Sequence, residues 1–156
     1  MSPAAHDPRF RFWCGWLGVA AYATIAFGLG LALGSTSAPV AALLLHPTNA
    51  IFWGAAAPDP VTVAYQGFVH GVLGATVAGW GVLMLAVARA AFRRRERWAW
   101  RAMAGALLAW FVPDTAISIA YAVWPNVALN VAVAALLGLP LVATRRAFGP
   151  ETALHR

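Results

Sequence analysis

Two ionisable side chains, His70 and Asp114, sit inside long apolar runs of the chain. Charge at membrane depth is costly, so a residue placed there is a functional candidate by default. An imidazole and a carboxylate together can move a proton, the carboxylate orienting the ring and the ring exchanging the proton near neutral pH. His70 and Asp114 are therefore the candidate catalytic pair, with Asp114 read as either a carboxylate or a neutral acid.

Helical spacing gives each of them companions, because residues four apart share a face. Gln66 lies one turn before His70. Trp110 lies one turn before Asp114, Ser118 one turn after it, and Tyr121 farther along the same side. Asn126 and Asn130 repeat the spacing at the head of the last apolar run, and Thr24, with Tyr22 nearby, contributes from the first. Gln66, Trp110, Ser118, Tyr121, Asn126, Asn130 and Thr24 form the expected ligand-binding set. Pro113 adds a further polar demand. A proline inside a helix withholds one backbone N–H and displaces the carbonyl four residues earlier, here that of Ala109.

Other chemistries fit less well. Haem held between helices wants two axial histidines, and only His70 lies within an apolar run, His46 being in a loop. His46, His70 and Asp114 are acceptable ligand types for a metal, but they lack a diagnostic spacing, and no metal site is expected. Ser118 has no GxSxG-type elbow around it. Phosphate loops, paired cysteines and dinucleotide fingerprints are absent from the sequence. Cys14 stands alone, and His6 and His155 fall in the tails. No cofactor follows from these residues.

The elements that must position the candidates are membrane helices. Of 156 residues, 62% are apolar and 10% charged, far from the roughly 25% charge of a soluble domain. Crossing a hydrocarbon layer takes about 20 apolar residues, and four stretches qualify: 12–33, 61–88, 98–123 and 127–144. The expected fold is an all-α, single-domain, four-helix membrane bundle. The first stretch is too long for a secretory signal core and is read as a retained span. At 1.5 Å per residue, His70 lies roughly 28 Å from Arg89 and Asp114 roughly 20 Å from Arg101. Both belong to the half of the bundle opposite the arginines.

All 11 basic side chains are arginine, and the net charge is +6. They cluster at 9–11, 89–101 and the C-terminal tail, whereas the 35–60 loop and the turn near 124–126 carry none. Basic loops stay cytoplasmic. Both termini and the 89–97 loop are thus expected in the cytoplasm, in the inner membrane of a cell whose Ala-, Gly- and Arg-rich composition suggests a bacterium. Arg93, Arg94 and Arg95 are expected to meet anionic lipid headgroups rather than nucleic acid.

Two features remain. The 35–60 loop holds apolar segments too short to span, divided by Pro39, Pro47 and Pro58. It is read as a short interfacial or re-entrant helix capped by Thr48 or Asn49, lying as a lid on the outer face. Ala64, Gly67, Gly71, Gly74, Ala78 and Gly81 form a small-residue stripe suited to close helix packing within the bundle, or to homodimerisation through Gly67 and Gly71. Binding of a small or lipophilic ligand in a polar outer-half pocket is the leading expectation. The alternatives are an intramembrane enzyme acting by proton transfer on an isoprenoid, quinone or similar lipophile, a small proton-linked permease, and a non-catalytic accessory subunit of a membrane complex.

Overall fold

Aspartate followed by proline opens two of the long helices. In the computed structural model, which describes residues 7–148, the Asp7 carboxylate accepts from the amides of Arg9 and Phe10 and starts α1 (Pro8–Gly34). Asp59 does the same for the amides of Val61 and Thr62 at the head of α4 (Pro60–Val87). Each proline stands where its missing N–H would have had no helical partner. The Thr62 hydroxyl and the nearby amides hold the Asp59 carboxyl below the usual carboxylate range.

Between these helices run α2 (Ala38–Val40), a π-helical turn (Ala41–Leu45) and α3 (His46–Trp53). Thr48 does not cap α3. It lies within the helix, and its hydroxyl bonds back to the Leu44 carbonyl at 2.8 Å. Gly54 ends the segment with a φ of 62°. α4 continues through a π-helical turn (Ala88–Phe92), then α5 (Arg97–Ala120) and α6 (Trp124–Thr144) follow, and a 3-10 turn (Arg145–Phe148) closes the described chain. Among the described residues the structure is all helical, and four helices are long and apolar enough to cross a membrane.

The bundle is turned inside out relative to a soluble protein. Val19, Leu33, Val61 and Val142 are each at least 70% exposed, while Ala20, Ala21, Ala88, Ala91 and Ala99 are buried. An apolar exterior of this extent needs an apolar surrounding.

α1 packs chiefly on α4, α5 on α6, and α1 also touches α6. The α1–α4 seam is built from the small-residue stripe. A Cβ added at Gly74 would land on the Ala32 backbone, one at Gly28 on the Ala78 backbone, and one at Gly81 within 2.9 Å of the Ile25 nitrogen. The two backbones are in direct contact.

The arginine-bearing end is closed by aromatics. Phe10, Phe92 and Phe148 come from α1, the π turn and the 3-10 turn, with ring centroids 4.7 to 6.1 Å apart. Arg95 lies over the Phe10 ring at 4.4 Å. Arg89 reaches along α4 to the Tyr22 hydroxyl at 2.6 Å, so Tyr22 serves this end instead of the polar cluster opposite. Glu96 heads α5, and its carboxylate takes the Trp98 indole and the Arg94 guanidinium, which hold it below the usual range.

Candidate functional site

α5 ends at Ala120, three residues short of the expected boundary. Ala122 adopts a left-handed φ of 58°, the Val123 amide bonds back to the Ser118 carbonyl at 2.8 Å, and the Ala122 amide bonds to that of Ile119. This pair of bonds is the Schellman arrangement, which stops a helix and reverses the chain. α6 therefore starts at once, with Pro125 in its first turn. Asn126 and Asn130, one turn apart, are brought back over the last two turns of α5.

Their target is Asp114. Asn126 and Asn130 each donate an amide N–H to Asp114 Oδ1 at 2.8 Å. The Ser118 hydroxyl lies 3.3 Å from the same oxygen and 2.8 Å from the Asp114 carbonyl, and Asn126 also reaches Ser118 Oγ at 2.7 Å. Trp110 donates its indole N–H to Asp114 Oδ2 at 3.1 Å. Asn130 also bonds the Thr115 hydroxyl at 3.2 Å. Ser118 and Asn130 are buried, at 5% and 2% exposure. Asp114 is only half-buried, and it lines a groove with Ala109, Trp110, Pro113, Ile117, Ser118 and Asn126. The carbonyl that Pro113 leaves without its usual donor belongs to a residue of this groove, and no side chain among the described residues donates to it.

His70 belongs to a different group. Its Nδ1 lies 2.7 Å from the Gln66 carbonyl on its own helix. Gln66 donates its side-chain N–H to Asn49 Oδ1 of α3 at 2.8 Å, while Gln66 Oε1 is buried without a partner among the described residues. No hydrogen bond joins His70 to Asp114 among the described residues. Thr24 bonds the Ala20 carbonyl of its own helix. Tyr121 is exposed beyond the end of α5, its ring 6.1 Å from that of Phe52 in α3. Five of the nine candidates thus converge: Trp110, Asp114, Ser118, Asn126 and Asn130. Gln66 and His70 form a second group under α3, and Thr24 and Tyr121 join neither. His46 is exposed, and among the described residues no three His, Cys, Asp or Glu side chains gather as a metal site.

Several participants escape a reading by periodicity. Thr115 lies next to Asp114 in sequence but meets Asn130 only through the reversal at Ala122. Trp80 of α4 lies 6.0 Å, ring to ring, from Trp110. Below this contact, toward the arginine end, an apolar crevice of about 70 Å³ is enclosed by α1, α4, α5 and α6, lined by Leu17, Leu83, Met84, Met103, Leu107 and Leu137 among others. Pro140 of α6 is a second helix-interior proline, and the Leu136 carbonyl it strands accepts the Trp16 indole N–H at 2.8 Å. An indole is a donor with no acceptor of its own to satisfy, and a tryptophan 120 residues away in sequence carries no spacing signal toward Leu136.

The chain matches no known family model, and no curated protein or solved structure was found to be similar to it.

Proposed function

We propose that this is a multi-pass membrane protein that binds a lipophilic ligand in the α5–α6 groove, with Asp114 as its polar anchor. One observation carries the reading: a half-buried carboxylate at membrane depth, held by neighbouring N–H donors, forms part of a groove wall that also presents the apolar side chains of Ala109, Pro113 and Ile117. Ligand sites in helix bundles have this make-up, mostly apolar with a few convergent polar groups. The Asp114 side chain is fixed before any ligand arrives, which lowers the ordering cost of binding.

Binding is favoured over proton-transfer catalysis, because Asp114 is committed to α5 and α6 neighbours and His70 Nδ1 to the Gln66 carbonyl. Neither orients the other. α3 acts as the lid. Its Asn49 is tied to Gln66 of α4, and its Phe52 ring lies 6.1 Å from that of Tyr121 beyond the end of α5. In the proposed topology the arginine end is cytoplasmic, both termini lie there, and Arg93, Arg94 and Arg95 face anionic headgroups of the cell's inner membrane.

Native mass spectrometry of the protein taken from its own membrane tests the reading. A stoichiometric lipophilic adduct is expected on the wild type, and it is expected to be lost in Asp114→Asn and in Ile117→Trp, which fills the groove and removes no member of the hydrogen-bonded cluster. An adduct retained in both variants, or none on the wild type, would refute it.

A further inference from the structure

We infer that the ligand's head is a cation, a protonated amine carried on an apolar chain. The inference rests on the binding reading above and adds a charge to it. The close contacts to the Asp114 carboxylate are N–H donors: Asn126 and Asn130 on Oδ1, and Trp110 on Oδ2. An ionised carboxylate accepts only, so this set suits the anion. All three donors are neutral.

Among the described residues no arginine or histidine pairs with Asp114, and the ion pair present, Arg94 with Glu96, lies outside the groove. Hydrogen bonds satisfy the oxygens of a desolvated carboxylate, yet an uncompensated charge in a low-dielectric setting remains expensive. A cation in the groove provides the missing partner.

Two further features fit that head and its tail. Oδ2 receives a single bond and keeps acceptor capacity for an ammonium N–H. The Trp110 indole lies beside it, with the Trp80 ring 6.0 Å from that of Trp110, and an indole face attracts a cation. Past the Trp80 ring lies the small apolar crevice, which suits the first carbons of an alkyl chain running toward the arginine end. A neutral hydroxyl would fill Oδ2 but leave the charge uncompensated, and an anionic head would be repelled.

The test compares dodecylammonium with dodecanol, which share a chain and a donor and differ in charge, at pH 7 in nanodiscs of neutral phosphatidylcholine. Occupancy is read by native mass spectrometry. The ammonium is expected to saturate one site per chain at a concentration about tenfold below that of the alcohol. Asp114→Asn is expected to equalise the two, and Ile117→Trp to weaken both. Equal binding of the two probes to the wild type, or a preference that survives in Asp114→Asn, would overturn the cationic head and leave the groove standing. If neither probe saturates a site, the groove reading falls with it. Should Asp114→Asn fail to fold, the wild-type preference and the Ile117→Trp effect still decide the matter.

Discussion

The two antiparallel pairs in this bundle are held together in opposite ways. α1 and α4 meet backbone to backbone along Gly28, Gly74, Ala78 and Gly81 with no room for an added carbon. α5 and α6, near the Ala122 reversal, meet through side-chain hydrogen bonds centred on Asp114, with a groove left open beside them. Lipid gives helices no hydrophobic reason to associate, so both solutions are available. Only the second leaves a polar group accessible to something else. The lesson is that close packing marks the scaffold here, and loose packing around satisfied polar groups marks the proposed site.

The same contrast separates the two helix-interior prolines. Pro140 lies in the packed half, where Trp16 closes its stranded carbonyl. Pro113 lies at the groove, where Ala109 lines the wall. A side chain covers the stranded carbonyl where the helices pack, and none among the described residues does so where a ligand is proposed to enter.

The largest expected effect comes from breaking the seam. Gly74→Leu drives a side chain into the Ala32 backbone, which cannot move aside, and should cost about 3 kcal/mol or more. Gly79→Ala, at a position with open space, should stay within about 0.5 kcal/mol of the wild type. Denaturation in mixed micelles, followed by helicity, compares the two. Equal effects would remove the distinction between seam and lipid-facing glycine.

Removing one member of the polar cluster comes next. Asn130→Ala withdraws a donor from a half-buried carboxylate and should cost about 1–3 kcal/mol in the same assay. A smaller cost is expected from Trp16→Phe, about 1 kcal/mol, because the Leu136 carbonyl loses its donor. Combining it with Pro140→Ala returns a backbone N–H to that carbonyl. The Trp16→Phe penalty should then shrink by more than half, whereas additive effects would mean that the indole bond contributes nothing.

The smallest effect is at the surface of the arginine end. Glu96 titrates below its unfolded value because of Trp98 and Arg94. The stability this adds is present above the ordinary carboxylate range and is lost as pH falls through the lowered folded value. Glu96 lies at the solvent-screened surface with its side chain 33% exposed, so the thermal midpoint of the wild type should fall only slightly more on acidification than that of Glu96→Gln. No difference between the two proteins would show that these contacts are absent in solution.

Much of the architecture was legible in the sequence because its signals are local. Apolar length and the Asp59-Pro60 cap each act within a few residues. The glycine stripe announced a close-packed face, and α1 covers it. The Asp114 companions were legible where the i, i+4 rule applies, as for Trp110, Ser118 and the spacing of Asn126 from Asn130. Contacts between helices were not. Depth from the arginine end set His70 and Asp114 near one level, but depth says nothing of rotation about the helix axis, and His70 turns to Gln66. The reversal at Ala122 gave no warning either, because a left-handed alanine carries none of the glycine signal that usually marks a helix end. Trp16 and Pro140 stand far apart in the chain, so their pairing depended on the α1–α6 contact.

Photolabelling tests the central claim most directly. The wild-type protein in neutral nanodiscs would be irradiated with a long-chain alkyl diazirine at low occupancy, and the labelled peptides mapped. Label should concentrate on the stretch 109–117 of α5, several-fold above the exposed α1 residues Val19, Phe27 and Leu33, and that excess should disappear in Ile117→Trp. Label spread evenly over the exposed apolar residues of all four helices would contradict the account, and would leave the Asp114 cluster as a strut between α5 and α6.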